Sequence, residues 1–248
     1  EDPEYATFLE ELGNGTFCGL VGSQGSVDLE GHVLHPRAVQ LPESITAPFS
    51  WTARELMDWV YGGYESIEPA EWSRFYEPRA VVTPLNASAS KLNEKMLEGL
   101  PSDAERLSLS QDYAVIDEGE AEHYTPEFMN SLDPPGMPPH ELRIRPGALM
   151  MVLRNYAPQK GLCNGTRVVI RGLWRRLLQV QIVTGPKRGN VELLPRIVCD
   201  STGDDELPFV LRRMQFPVRP AWVMSINKAQ GQTVAGRIGV YLPAPAFP

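Results

Sequence analysis

Residues 79–101 read RAVVTPLNASASKLNEKMLEGLP, and this stretch sets the fold class. Ala80 to Val82 form a short apolar run rich in β-branched residues, the signature of a buried strand. Thr83-Pro84 ends the run, and Asn86 or Ser88 is placed to N-cap a helix. Leu92, Met96 and Leu97 recur at helical spacing as that helix's inner stripe, with Gly99 as its stop. Strand, polar turn and helix in that order make an α/β unit. In such units functional polar residues gather at the C-terminal end of the strand, here Thr83 and Asn86.

Residues 222–243, WVMSINKAQGQTVAGRIGVYLP, repeat the grammar near the end of the chain. One apolar run stops at Ile226, a second spans Ile238 to Leu242, and a polar cluster lies between them. A plain turn needs Gly, Asn or Pro, not a lysine and two glutamines as well. Gly231 lets a backbone approach a phosphate closely. Lys228 can place a positive charge on a phosphate or a DNA backbone. Gln230 and Gln232 offer both donors and acceptors. A satisfied turn is the simpler reading of the same residues.

Between these stretches the pattern changes. Residues 53–61 carry Leu56, Trp59 and Val60 at helical spacing, stopped by Gly62-Gly63. Residues 4–12 suggest a short amphipathic helix, and 16–50 loop or short strands. Residues 117–140, with five prolines, read as a linker over the surface. Four short strand-like runs then follow, LRIRPGALMMVLRN, GTRVVIRGLW, LLQVQIVTG and GNVELLPRIVCD, separated by turn residues. Their spacing suggests a small β-barrel over 141–210, inserted into an α/β domain made of 1–140 and 211–248.

The chain has 248 residues and a net charge of −8, unevenly spread. Residues 1–142 hold 7 Lys+Arg against 26 Asp+Glu, and 143–248 hold 16 against 5. A basic half points to an anionic partner such as nucleic acid, or else the halves neutralise one another internally. The doublets Arg175-Arg176, Lys187-Arg188 and Arg212-Arg213 could track phosphates or cap strand ends. Trp174, Tyr156 and Trp222 are the aromatic candidates for base stacking, with core packing the commoner fate. Three widely spaced cysteines give no disulfide framework and no zinc spacing, which fits a reducing compartment. No apolar run approaches the roughly 20 residues of a membrane span. The acidic start is no secretory signal, and the missing initiator Met suggests a fragment. Sequons at Asn14, Asn86 and Asn164 read as caps or turns, and His32 and His35 as surface loop rather than metal ligands.

SINKAQGQT closely resembles motif V of superfamily-one helicases of the RecD-like branch, in particular the petite integration frequency (Pif-type) DNA helicases and their Helitron-encoded relatives. FLEELGNG resembles the family's segment after the first motor domain, and RAVVTPLN its motif IV region. EFMNSLDPPGMPPHELRIRPGALMMVLRNYAPQKGLCNGTRVVI resembles its entry into a Src-homology-3-like 2B subdomain. LPRIVCD and LPFVLRRMQFPVRPAWVMSINKAQGQT resemble the return into the second RecA-like domain. The resemblance implies an α/β second RecA-like domain with parallel sheet, the barrel inserted, within an ATP-driven DNA-unwinding motor. Carried over, Ser225, Asn227 and Lys228, with Thr83 and Asn86, become single-stranded DNA contacts. Gln230, Gly231 and Gln232 fall to the nucleotide side.

The departures from the family are specific. No GxxxxGK[ST] loop and no Walker B pair occur in this sequence. The arginine motif expected after YLPAPAF is not present either, and Ala229 replaces the usual serine. The resemblance therefore implies a chain with no catalytic residues of its own, inactive as an ATPase alone. ATP and Mg would be held only with the missing first RecA-like domain. No metal-ligand set is expected. The competing reading is a non-catalytic single-stranded DNA-binding module or a degenerate transposon remnant. An intracellular site, nuclear or mitochondrial in a eukaryote, is expected, serving DNA repair and recombination or Helitron transposition.

Overall fold

The computed structural model describes residues 6–7, 10–11, 45–48, 50–101, 103–115, 124–201 and 207–243. The chain divides into units 1–51 and 52–248. The helix expected over 4–12 and the loop or strands expected over 16–50, with His32 and His35, fall largely outside the described residues. The second unit carries everything below.

Its first layer is a parallel sheet. Strand β1 (Arg79–Thr83) lies between β12 (Val223–Ser225) and β13 (Arg237–Val240), parallel to both. Val81, Val223 and Gly239 share one face by register. Helix α1 (Ala53–Tyr61) and helix α3 (Asn86–Gly99) cover that face with Met57, Val60, Tyr61, Leu92 and Met96. A Cβ at Gly239 would press within 3.1–3.2 Å of Leu56, Val60 and Val81, so glycine lets α1 sit close. The opposite face buries Ala80 and Met224 against Met151 and Ala221.

The expected helix starts are partly right. A capping box between Thr52 and Glu55 opens α1, with the Glu55 carboxylate held below its usual pKa by the Thr52 backbone and hydroxyl. Helix α3, however, begins at Asn86 itself, with Leu85 at the cap position and no side-chain cap. Gly99 does not end it through a left-handed conformation. A Cβ there would lie 2.0 Å from the Tyr64 hydroxyl, which donates to the Met96 carbonyl at 2.7 Å. The C-terminal carbonyls are capped instead by Arg145, which donates to those of Leu97, Glu98 and Leu100.

β12 is the edge of the parallel sheet, and its backbone is not left open. The buried Asn93 amide of α3 accepts from Val223 N–H at 2.9 Å and donates to Val223 C=O at 2.8 Å. One side chain thus stands in for a neighbouring strand.

The second layer is antiparallel. Strands β5 (Leu149–Val152), β6 (Arg167–Trp174), β7 (Leu177–Ile182) and β8 (Val191–Pro195) join β11 (Val218–Pro220) in the order β11-β5-β6-β7-β8. The strand-like runs therefore do pair, as an open sheet of five strands among the described residues. After β8 the chain enters a different sheet, where β10 (Val210–Gln215) lies between β3 (Gln111–Val115) and β9 (Ile197–Asp200). Strands β2 (Arg106–Leu109) and β4 (Glu141–Ile144) form a further pair.

The segment read as a surface linker is packed where it is described. Helix α4 (Pro126–Ser131), capped by Thr125, buries Met129, and Met137 is fully buried with it. Arg213 explains this. Its guanidinium pairs with Asp112 at 2.6 Å and donates to the carbonyls of Pro138 and Met129. The prolines there shape a stapled segment.

Much of the charge asymmetry is settled inside the unit. Arg143 faces Glu94, Glu98 and Glu105; Arg188 meets Glu77, Arg213 meets Asp112 and Arg219 meets Asp133. Arg167 is fully buried and donates to the carbonyls of Tyr76, Glu77 and Arg79, closing helix α2 (Trp72–Tyr76). Arg212 is held by Asp200. Internal neutralisation accounts for most of the arginines considered above as possible phosphate contacts.

Candidate nucleic-acid interface

Because β1 and β12 run parallel and in register, their C-terminal ends coincide: Thr83 stands beside Ser225. The chain leaves β1 into α3 and leaves β12 into the short helix α5 (Ile226–Ala229). That common edge brings Asn86, Ser225 and Lys228 to the wall of a single cavity of about 230 Å³. Met151, Met224, Ala221, Val223 and Leu142 give it apolar lining, and Ser90, Glu94, Asp133, Glu141, Arg143 and Arg219 give it polar lining.

Lys228 is the least engaged cation at this edge. It makes no ion pair within 4.0 Å among the described residues, whereas Arg219 is bound to Asp133 at 2.9 Å. Burial, then repulsion from Arg219, lowers the Lys228 pKa below its ordinary value, with Asp133 partly opposing. An anion placed there would relieve both effects. Asn86 and Asn227 are exposed.

Thr83 departs from the expectation. It is fully buried and its hydroxyl has no hydrogen-bond partner, so it is not a surface contact in this conformation. Of the residues expected to face a nucleotide, Gln230 and Gly231 are exposed, and Gly231 takes φ +81° with open space where a Cβ would be. Gln232 behaves differently. Its Nε2 donates to the Gly165 carbonyl at 2.8 Å, while its Oε1 is buried without a partner. The side chain ties the motif V loop to the turn before β6. Ala229 packs against the Ala80–Met151–Met224 cluster, where a hydroxyl would gain nothing from its apolar neighbours. Of the aromatic candidates, Trp222 is wholly buried, but Trp174 and Tyr156 are exposed.

Asp133, Ser90, Glu94 and Arg219 escaped the sequence reading. Asp133 lies in the segment read as a linker, Arg219 in the stretch 207–233 that resembles the family but with no role of its own, and Ser90 and Glu94 off the inner stripe of α3.

Residues 127–173 match the model of the DNA helicase Pif1 2B domain. Over 145 residues the chain is 32% identical to the ATP-dependent DNA helicase PIF1 of Homo sapiens and to that of Rattus norvegicus. The chain matches the C-terminal region of Pif1-type helicases. Each of those alignments covers 57% of this chain but 20% of the relative, so the chain spans a small part of the curated proteins it matches. The fold agrees: Bacteroides Pif1 bound to ssDNA superposes with a TM-score of 0.51, covering 97% of this chain and 43% of that one at 18% identity. The Pif1 2B match begins inside the segment read as a linker, where α4 starts. Among the described residues no helix is long and apolar enough to cross a membrane, and no cluster of three or more potential metal ligands occurs.

Proposed function

We propose that the chain is the second RecA-like domain, with its 2B subdomain, of an ATP-dependent DNA helicase, and that it grips single-stranded DNA at the edge shared by β1 and β12. The observation that carries this reading is the convergence of Asn86, Ser225 and Lys228, from two distant segments, on one cavity wall. Asn86 and Asn227 offer neutral donors and Lys228 the charge for a phosphate. Ser225 lines the groove between them. Thr83 acts from behind, holding the register of the two strand ends rather than touching the strand. The open sheet of β5–β8 and β11 takes the place of the Src-homology-3-like 2B barrel and braces the motif V loop through Gln232.

Gln230 and Gly231 are free to face a nucleotide; Gln232 is already engaged. ATP and Mg would depend chiefly on a first RecA-like domain, because this sequence has no phosphate-cradling loop. The partners are single-stranded DNA and that first domain, in an intracellular setting, nuclear or mitochondrial in a eukaryote.

Fluorescence anisotropy with labelled single-stranded DNA at two salt concentrations tests the grip. The parent should bind with strong salt dependence, and Lys228→Ala should weaken binding and reduce the salt slope by about 0.7, the value for one phosphate contact on a single strand. Binding that ignores Lys228→Ala would remove DNA from this edge.

A further inference from the structure

Strands β1 and β13 begin side by side, and their register sets Arg79 directly against Arg237. Like charges at opposed positions of a sheet repel and destabilise it. Gly236 allows the close start. A Cβ there would lie 2.4 Å from the Pro78 carbonyl oxygen, so a larger residue would push β13 away from β1.

Both guanidinium groups are nevertheless held, and each in the same way. Arg79 lies over the Phe75 ring at 4.1 Å and donates through Nη1 to the Phe75 carbonyl. Arg237 lies over the Trp59 ring at 5.5 Å and donates through Nη1 to the Trp59 carbonyl at 2.9 Å. No acid relieves the pair: neither arginine has an ion-pair partner within 4.0 Å among the described residues. Asp58 and Glu77, close in sequence to the two rings, are engaged with Arg54 and Arg188. The Arg79 Nε is buried without a partner. Burial, then the charge of Arg237, lowers the Arg79 pKa below its ordinary value.

We propose that Arg79 and Arg237 form a binding site for a phosphate dianion, either free or at the end of a nucleic-acid strand. Two cations balance the charge of about −2 on a phosphate monoester, whereas one carboxylate would leave half of theirs uncompensated. Two planar forks, each oriented by a ring and a carbonyl, suit an anion with several oxygens. The site lies at the start of β1, about 13 Å of strand rise from Thr83 at its end. It is therefore separate from the proposed DNA grip and does not depend on it.

The test is calorimetric titration of inorganic phosphate into the full chain, in chloride of matched ionic strength. The parent should bind saturably in the millimolar range. Arg237→Gln, at an exposed position, should weaken binding at least about tenfold, the loss of one charge-assisted contact. Arg237→Lys keeps the charge without the fork and should recover only part of it. Arg175→Gln, an exposed arginine on another sheet, should change nothing. Thermal midpoints in chloride confirm that the variants are folded. A 5′-phosphorylated single strand that displaces phosphate where the 5′-hydroxyl strand does not would identify a strand end as the ligand. Displacement by neither would leave free phosphate as the ligand. Absence of saturable phosphate binding, binding that survives Arg237→Gln, or an equal loss with Arg175→Gln overturns the site, whatever the fate of the DNA grip.

Discussion

Arg213 and Lys228 lie in the same basic half of the chain, and they do opposite things with their charge. Arg213 is fully buried, and its guanidinium is shared among Asp112 and the carbonyls of Pro138 and Met129. Lys228 is half-buried, has no ion-pair partner among the described residues and lines a cavity. The first cation is construction and the second is available. A count of basic residues cannot separate the two, because affinity for an anion depends on donors that are still free.

The comparison breaks most visibly at Arg213. Arg213→Met should cost about 3–5 kcal/mol of unfolding free energy, since it strands the Asp112 carboxylate in the interior. Adding Asp112→Leu should recover most of that loss, because both buried charges are then gone. Urea denaturation of the two variants checks it. If the single substitution is mild, Arg213 is less committed to the fold than its contacts imply. Its charge would then add to what Lys228 and the exposed Arg175, Arg176 and Lys187 can offer DNA.

A smaller effect tests the edge from its structural side. Asn93→Leu leaves the N–H and C=O of Val223 buried without partners, at about 1–3 kcal/mol per group. Asn93→Asp keeps the acceptor but sets a buried carboxylate against the Val223 carbonyl, so at neutral pH it should destabilise at least as much as Leu, with partial recovery at acid pH where the protonated carboxyl can donate. DNA binding should suffer as well, because β12 carries Ser225 into position.

The α/β unit over 79–101 was legible because its strand and helix have different periods and lie side by side. The motif V loop was legible because its polar set is unnecessary for a turn. Asn93 was not legible. It sits among polar residues on α3, and nothing in the sequence says that its amide faces an edge strand. Arg167 and Arg145 were hidden for the same reason: arginine in a strand-like run reads as surface charge, and carbonyl capping is visible only after folding. The segment 124–140 misled because proline density is shared by loose linkers and by rigid, stapled loops. Of the site, Asn86, Ser225 and Lys228 could be named from strand ends and resemblance, while Asp133 and Arg219 required the tertiary fold.

Gln232 offers a finer test of how the motif V loop is held. Gln232→Ala removes one hydrogen bond to Gly165, a loss of about 1 kcal/mol, and also removes an unpartnered buried oxygen, which offsets part of it. The expected signature is faster amide hydrogen exchange in the turn at 163–166 and in the loop after α5, with little change in midpoint. Unchanged exchange would mean that the loop does not depend on this tether.

Lys228 should show the smallest stability effect of all, and its sign is informative. Burial and Arg219 disfavour its charged form in the folded chain, lowering its pKa from 10.5. Between the folded and unfolded pKa values the unfolded chain therefore binds more protons at this site, and stability rises with pH across that alkaline window. Lys228→Met should remove this rise and be neutral or slightly stabilising at pH 7, within about 0.5 kcal/mol, as for substitutions that break no buried contact. Paired with weaker DNA binding, that result would separate a residue kept for its ligand from one kept for the fold. A clear destabilisation at neutral pH would instead place Lys228 beside Arg213, as part of the construction.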